Sequence, residues 1–563
     1  SHWLVTRAAD GDDPGENGGD GGGAEGGIIY IYPGGGPVIK NCIIRDNSII
    51  GGDGGDGEDA DATHNAGRGG WSGWARGGAV YCGPGSTPTF INCQITDNEA
   101  RGGTAGDGGD RAGGGGYSNY GGSWSKAGTP VFPAINYDPR SLNVDFVIGD
   151  LWKFWTDMAP YTPLTNPVGY IGGYRWYSAY GGGVYCGVGS RVTFVDCEIS
   201  NNRTYGAMSG VGGILLIIPS RSYEIPTYGG GVYCAANSNV EFTACTIANN
   251  IVSVPEPADP ADPNGGFRHR IDPYLGHGGG VCAEDTSIVT FTECDFSGNQ
   301  APRGVGGALY FDDANLRVSD CGFVSNTAIH GGGLYGMEGR STIVGCSITD
   351  NDAVRVVAPD PNDTNDITFG EGGGLHFWAT ESDVIDSQIL NNNSDGTGGG
   401  AYFGGQNSPA LINCLVAGNM AASNGGGIAV NILSQLSVFN CTVADNEVTG
   451  SGFASYYGGG LNCYDGAYAD IIDSIFWENM AQNGRQIAIQ TGGNWGPSEV
   501  TVVYSDVEGG ATTGVYVEGD SILNWDDTAD ARYPTNLSGV PSLSNPVFVT
   551  GGYNEDYYMG QIP

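Results

Sequence analysis

The sequence predicts an all-β protein: a parallel β-helix of about eleven recognisable coils plus closing coils, with loop insertions projecting from one edge. Three observations carry that prediction. First, one phrase returns eleven times in 563 residues, and a fixed internal period marks a stacked-repeat architecture. Its clearest copy, residues 181–202, reads GGGVYCGVGSRVTFVDCEISNN. Second, the apolar runs are four to six residues long, β-branched or aromatic, and broken by Gly, Asn and Asp. Those are strands and bends, whereas a helix needs apolar residues three and four apart over a longer stretch. Third, Val184 and Cys186 share one parity, as do Val195, Cys197 and Ile199, so each coil turns alternate side chains inward. One coil cannot bury that face alone. Coils stacked about 4.8 Å apart can.

Each copy opens on a glycine doublet or triplet, as at Gly181, Gly229, Gly278, Gly331, Gly372, Gly398, Gly425 and Gly458. Each closes on Cys-x-(Ile/Val/Phe)-x-x-Asn, with Ser387 and Ser474 replacing the cysteine twice. The step to the asparagine is five residues in all eleven copies. The asparagines are Asn47, Asn98, Asn202, Asn250, Asn299, Asn326, Asn351, Asn392, Asn419, Asn446 and Asn479. They are expected to form one structural row at a tight bend, where Asn tolerates left-handed backbone and can bond the Asn beneath it. The glycines are expected at a corner requiring positive φ or close backbone approach.

Taken in order, residues 1–25 read as an N-terminal Gly/Asp-rich segment without periodicity. Residues 26–483 hold the repeats, and 484–563 read as irregular closing coils and a tail from which the glycine block is gone. The insertions, at 99–180, 203–228, 252–277, 352–371 and 447–457, all fall after the asparagine and before the next glycines. They therefore leave one edge of the stack, where function on a rigid scaffold is expected.

At these residues the chain resembles the polymorphic outer-membrane proteins, whose GGA(I/L/V) and FxxN motifs lie on a right-handed β-helix. The matching residues are Gly77-Gly78-Ala79-Val80, Gly306-Gly307-Ala308-Leu309, Phe296 to Asn299, Phe323 to Asn326 and Phe476 to Asn479. The tail, with Tyr504-Ser505-Asp506-Val507-Glu508-Gly509-Gly510, Asn545-Pro546-Val547-Phe548 and Tyr553, is similar to the closing segment of secreted bacterial β-helix repeat proteins. The resemblance implies a right-handed coil on a bacterial surface or outside the cell. It implies no activity, because this coil carries adhesins, lyases and structural proteins alike.

Sixty-two acidic side chains against 22 basic ones give a net charge of −40. Such a surface repels nucleic acid and anionic membranes, and no apolar stretch is long enough to span a bilayer. Ser1 follows no signal peptide, which fits a mature or truncated chain. Among fourteen cysteines, Cys82/Cys93, Cys186/Cys197 and Cys234/Cys245 sit eleven apart. Two readings stay open: disulfides across the coil, as an oxidising exterior permits, or small core residues stacked from coil to coil.

Metal chemistry points to the Gly/Asp stretch after Asn47. There Asp53, Asp56, Asp59 and Asp61, with Glu58, offer hard oxygens on a flexible backbone, a donor set that suits Ca²⁺. A solvated acidic loop is the alternative. No CxxC or cysteine–histidine cluster suggests a transition metal. The long insertion holds fifteen aromatics between Tyr117 and Tyr180, among them Trp124, Trp152, Trp155, Trp176 and Tyr177. These either pack a small subdomain or meet sugars and proteins. Gly276-His277-Gly278 and Asp312-Asp313 contain residue types of a pectin hydrolase in reversed order, and the basic knot Arg268, His269, Arg270 has few acids near it in sequence. The expected function is an extracellular structural or adhesive protein. Its partners are copies of itself, through open ends and insertions, or surface glycans and proteins. The alternative is a polysaccharide lyase or hydrolase on the same scaffold.

Overall fold

A computed structural model describes residues 2–4, 10, 16–58, 70–104, 179–206, 226–253, 275–357, 367–450 and 455–525. The chain divides into two units. One, 124–175, lies outside the described residues, and the other, 1–123 with 176–563, holds the coils. Trp124, Trp152, Trp155, Trp176 and Tyr177 fall outside the described residues, as do Asp59, Asp61 and Arg268 to Arg270.

One coil shows the plan. Ala179–Tyr180 lies in sheet I, Val184–Cys186 in sheet II, Arg191–Val195 in sheet III and Glu198–Ser200 in sheet IV; Arg203–Tyr205 then returns to sheet I. Each strand pairs in parallel with its equivalents one coil before and after. Sheets II and III have 13 strands, sheet IV has 12 and sheet I has 16. Sheet I is larger because insertions split its strand in two. In the first coil without an insertion one strand, Gln300–Val305, crosses the gap, pairing with Ile251 at one end and with Gly276 and His277 at the other. The insertions thus all open from the middle of sheet I.

Inside the coils, alternate residues make ladders of like on like. Phe90, Phe194, Phe242 and Phe291 stack at 5.0, 4.8 and 4.7 Å between ring centroids. The eleven asparagines form one buried column. Asn202 gives Nδ2 to Asn250 Oδ1 (3.0 Å) and to the Ile95 carbonyl (2.8 Å), and its backbone N–H goes to the same Oδ1 (3.0 Å). The relay runs from Asn47 to Asn479 and ends on Gln486 Oε1 at 2.6 Å. The sequence suggested that these asparagines take the left-handed backbone. The structure gives it instead to the residue before, such as Asn201 (φ 55°) and Asn249 (φ 54°). That residue turns the corner, which lets the asparagine point inward. At the glycine corner, Gly181 has φ 63° and a Cβ on Gly182 would meet the Gly230 carbonyl oxygen at 2.2 Å, so neither position accepts a side chain.

The closing coils expected after Asn479 are present, and they keep the repeat's register: Ile487–Ile489, Glu499–Val503 and Val515–Val517 continue sheets II and III. Gly484 (φ 62°) keeps the corner with Arg485 and Gln486 in place of glycines. The cysteine pairs do not bond; all fourteen cysteines are free. Cys82, Cys186 and Cys234 are register partners on neighbouring strands of sheet II. A second column holds Cys294, Cys321, Cys346, Ser387, Cys414, Cys441, Ser474 and Ser505. In it the backbone N–H groups of Cys294, Cys346, Cys414 and Cys441 each meet the sulfur or hydroxyl of the next coil. Partners lie between coils rather than across one, and the hydroxyl of serine fills the slot equally well.

The Gly/Asp stretches are the larger surprise. Segments 16–25, 51–58, 70–74 and 101–104 hydrogen-bond to one another at every third residue. Gly52, Gly55 and Glu58 donate to Gly22, Gly19 and Glu16 (2.8–3.0 Å), and Gly70 and Gly73 donate to Gly55 and Gly52 (2.8 and 2.7 Å). A Cβ on Gly18, Gly21, Gly70 or Gly73 would lie 1.8–2.0 Å from a neighbouring carbonyl oxygen. Three-residue spacing with glycine at each inward position is the geometry of packed polyproline-II-type chains, where only glycine fits. Residues 16–25 therefore have a period after all, and Ala24–Glu25 joins sheet I beside Ala75–Arg76. Gly73→Ala is expected to open this bundle locally. Amide exchange at Gly21, Gly52 and Gly55 should accelerate about tenfold or more, the equivalent of about 1.4 kcal/mol of local opening, while exchange in the Phe194 coil stays unchanged.

Candidate functional site

Outside the coils, sheets I and II meet at an angle lined by two columns of rings. The last sheet I residue before each glycine corner gives Tyr180, Tyr228 and His277, half-buried and stacked at 5.2 and 4.8 Å. The outward residue of each sheet II strand gives Tyr81, Tyr185, Tyr233, Tyr310, Tyr335, His376 and Tyr402, with Cys282 between Tyr233 and Tyr310. The columns pack edge to face, Tyr180 on Tyr233 at 4.9 Å and His277 on Tyr310 at 4.7 Å. Much of this second apolar cluster sits on the outside of a coil whose interior is already full.

Two carboxylates enter this angle. From Val281–Glu284 to Ala401–Gly404 the sheet II strands are four residues long, and Glu284 and Asp312 occupy the added position as register partners on adjacent coils. Tyr233 donates its hydroxyl to Glu284 Oε2 at 2.7 Å, and Tyr310 reaches Asp312 Oδ2 at 3.4 Å. Burial pushes Glu284 up to about 7 against the Tyr233 hydrogen bond, with Asp312 and Asp285 adding repulsion. Burial, then the Glu338 charge, carries Asp312 to about 7. Near neutral pH each carboxyl can therefore give or take a proton. Burial also holds the phenols of Tyr228, Tyr233 and Tyr310 well above their ordinary range, so they stay hydrogen-bond donors.

The stacking brings together what the sequence separated. His277 and Asp312, in reversed order for a pectin hydrolase, flank Tyr310 on one face. Among the metal candidates read from the sequence, Asp53 spends a carboxylate oxygen on the Thr104 backbone N–H (2.6 Å), and the Asp56 backbone N–H donates to Asp10 Oδ1 (2.8 Å). Both belong to the glycine bundle, where such contacts bind neighbouring segments. One group escapes a reading of the chain alone: His330, two coils beyond Glu284, converges with Glu371 and His376, three coils beyond it. Its signal lies in the repeat alignment, since His330 and Glu371 each immediately precede a glycine block and His376 takes the slot of Tyr335. A shallow pocket on the outer face of sheet III, lined by Gln435, Tyr468, Asp470 and Glu499, is a separate polar surface.

Residues 182–525 match the family described as right handed beta helix region. The chain belongs to that right-handed β-helix family. Among solved structures the β-helix is similar to one titled as the crystal structure of the periplasmic alginate epimerase AlgG, at 9% identity over 62% of this chain and 76% of that one, with a TM-score of 0.24. No curated protein matches the chain. Among the described residues, no helix is long and apolar enough to cross a membrane.

Proposed function

We propose that this β-helix is an extracellular or surface protein that binds a carbohydrate chain in the outer angle between sheets I and II. The observation that carries the reading is the half-buried ring row Tyr180, Tyr228, His277 beside Glu284 and Asp312. Aromatic rings with clustered donors and acceptors are the surface that polyhydroxylated ligands need. The row also runs along the stack, so it suits an extended chain. A net charge of −40 favours a neutral glycan over a polyanion, and adhesion to glycans fits insertions that open from sheet I.

A second reading is favoured by one feature. Two carboxyls with neutral-range pKa values on adjacent coils could serve as acid and base for a glycan-cleaving reaction. Affinity electrophoresis through gels containing neutral or anionic polysaccharides separates the outcomes. The adhesive reading expects retardation by a neutral glycan, lost about tenfold or more in affinity in Tyr228→Ala/His277→Ala, with no new reducing or unsaturated ends. New ends abolished by Glu284→Gln would establish the enzyme. Retardation unchanged in the double variant would reject this face as the binding surface.

A further inference from the structure

His330 ends the sheet I strand Thr327–His330, and Glu371 bridges to it from the next coil. Glu371 is delivered there by a hairpin, Val356–Val357 against Ile367–Thr368, that occupies the insertion. His376 lies on the outer face of Leu375–Trp378, its ring held between Tyr335 (4.7 Å) and Tyr402 (4.5 Å). Both histidines are nearly buried, at 4% and 3% exposure. His330 Nδ1 is 3.7 Å from Glu371 Oε2, and one donor atom from each of the three residues lies within 4.8 Å of the others. The His376 Nδ1 is 3.4 Å from the Glu371 carbonyl oxygen; a proton held there leaves Nε2 with a free lone pair, the orientation that outer hydrogen bonds impose on metal-binding imidazoles.

We propose that His330, Glu371 and His376 bind one divalent transition-metal ion, with zinc as the fitting ion. Two imidazoles and one carboxylate are the donor set of open zinc sites, whereas calcium prefers oxygen alone. Bonds of about 2 Å to zinc place donors about 3.3 Å apart, so donors within 4.8 Å of one another need close by at most about 1.5 Å. Three protein ligands leave a further position open, and Glu371, whose side chain is 34% exposed, marks the solvent side. The ion would offset a carboxylate placed beside two nearly buried histidines, His330 in its own column and His376 in the neighbouring one. This site does not depend on the glycan reading.

Chelator-treated full-length protein titrated with Co²⁺ tests it. The expected result is one ion per chain, with visible d–d absorption, no thiolate-to-cobalt charge-transfer band, and displacement by Zn²⁺ but not by excess Ca²⁺. Glu371→Gln, His330→Gln and His376→Phe should each weaken binding about 100-fold or more, beyond the loss typical of outer-shell changes. His376→Phe keeps the ring between Tyr335 and Tyr402, so its metal-free melting temperature should match that of the parent. Absent cobalt absorption in the parent protein, a thiolate band reporting the cysteine columns, or binding retained in the three variants would overturn the site.

Discussion

Asn299→Ala is expected to destabilise the protein by about 3–5 kcal/mol and to split its unfolding into two transitions. Asn299 accepts from the Asn250 backbone (3.1 Å) and Asn250 Nδ2 (3.0 Å), and donates to the Ile247 carbonyl (2.8 Å) and Asn326 Oδ1 (3.0 Å). Alanine strands the two Asn250 donors and removes the side-chain donor to the Ile247 carbonyl, while Asn326 Oδ1 keeps the residue 299 backbone N–H (2.9 Å). Each unsatisfied buried group costs about 1–3 kcal/mol. Coils bond only to their neighbours, so a break at one of them uncouples the two sides. Chemical denaturation followed by tyrosine fluorescence reads the result. Under the same conditions Gln94→Ala, at an exposed bond between Gln94 and Glu198, should shift the midpoint little. Equal effects from the two variants would remove the buried column as the organising element.

The second large effect is a pH dependence. Glu284 and Asp312 both titrate near 7 when folded, above their ordinary values of 4.5 and 3.8. A raised acid pKa means the folded state holds its proton longer than the unfolded state. The stabilising contribution is therefore complete below about pH 4 and disappears as pH rises through 7. Glu284→Gln should leave stability unchanged at pH 4 and raise it at pH 8. After a discount for partial exposure the gain is on the order of 1–3 kcal/mol. Thermal melts at both pH values measure it. A variant less stable than the parent at pH 8 would show that the charged form of Glu284 has a stabilising partner.

Much of the coil is readable from local pattern, because stacking turns a repeated residue into a column. The asparagine row, the glycine corners and the inward parity of Val184 and Cys186 each follow from one repeat seen many times. Val195, read as inward, instead lies outside and Phe194 fills the core, because the corner before Cys197 resets the alternation. What escapes is information held between coils. Cys82 and Cys93 look paired along the chain, yet Cys82 faces Cys186, whose strand begins only after an insertion. His330, Glu371 and His376 lie up to 46 residues apart and meet only when coils are aligned with their insertions removed. The glycine bundle is hidden for a different reason. Three-residue packing uses backbone bonds and absent side chains, so its sequence looks like a flexible acidic loop.

A crystal structure of the protein with a retained neutral oligosaccharide would decide whether the angle between sheets I and II is the binding face. Sugar density is expected along Tyr180, Tyr228 and His277, with hydroxyls within hydrogen-bond reach of Glu284 or Asp312. Density confined to the sheet III pocket around Tyr468 and Glu499, with the angle between sheets I and II empty, would contradict it.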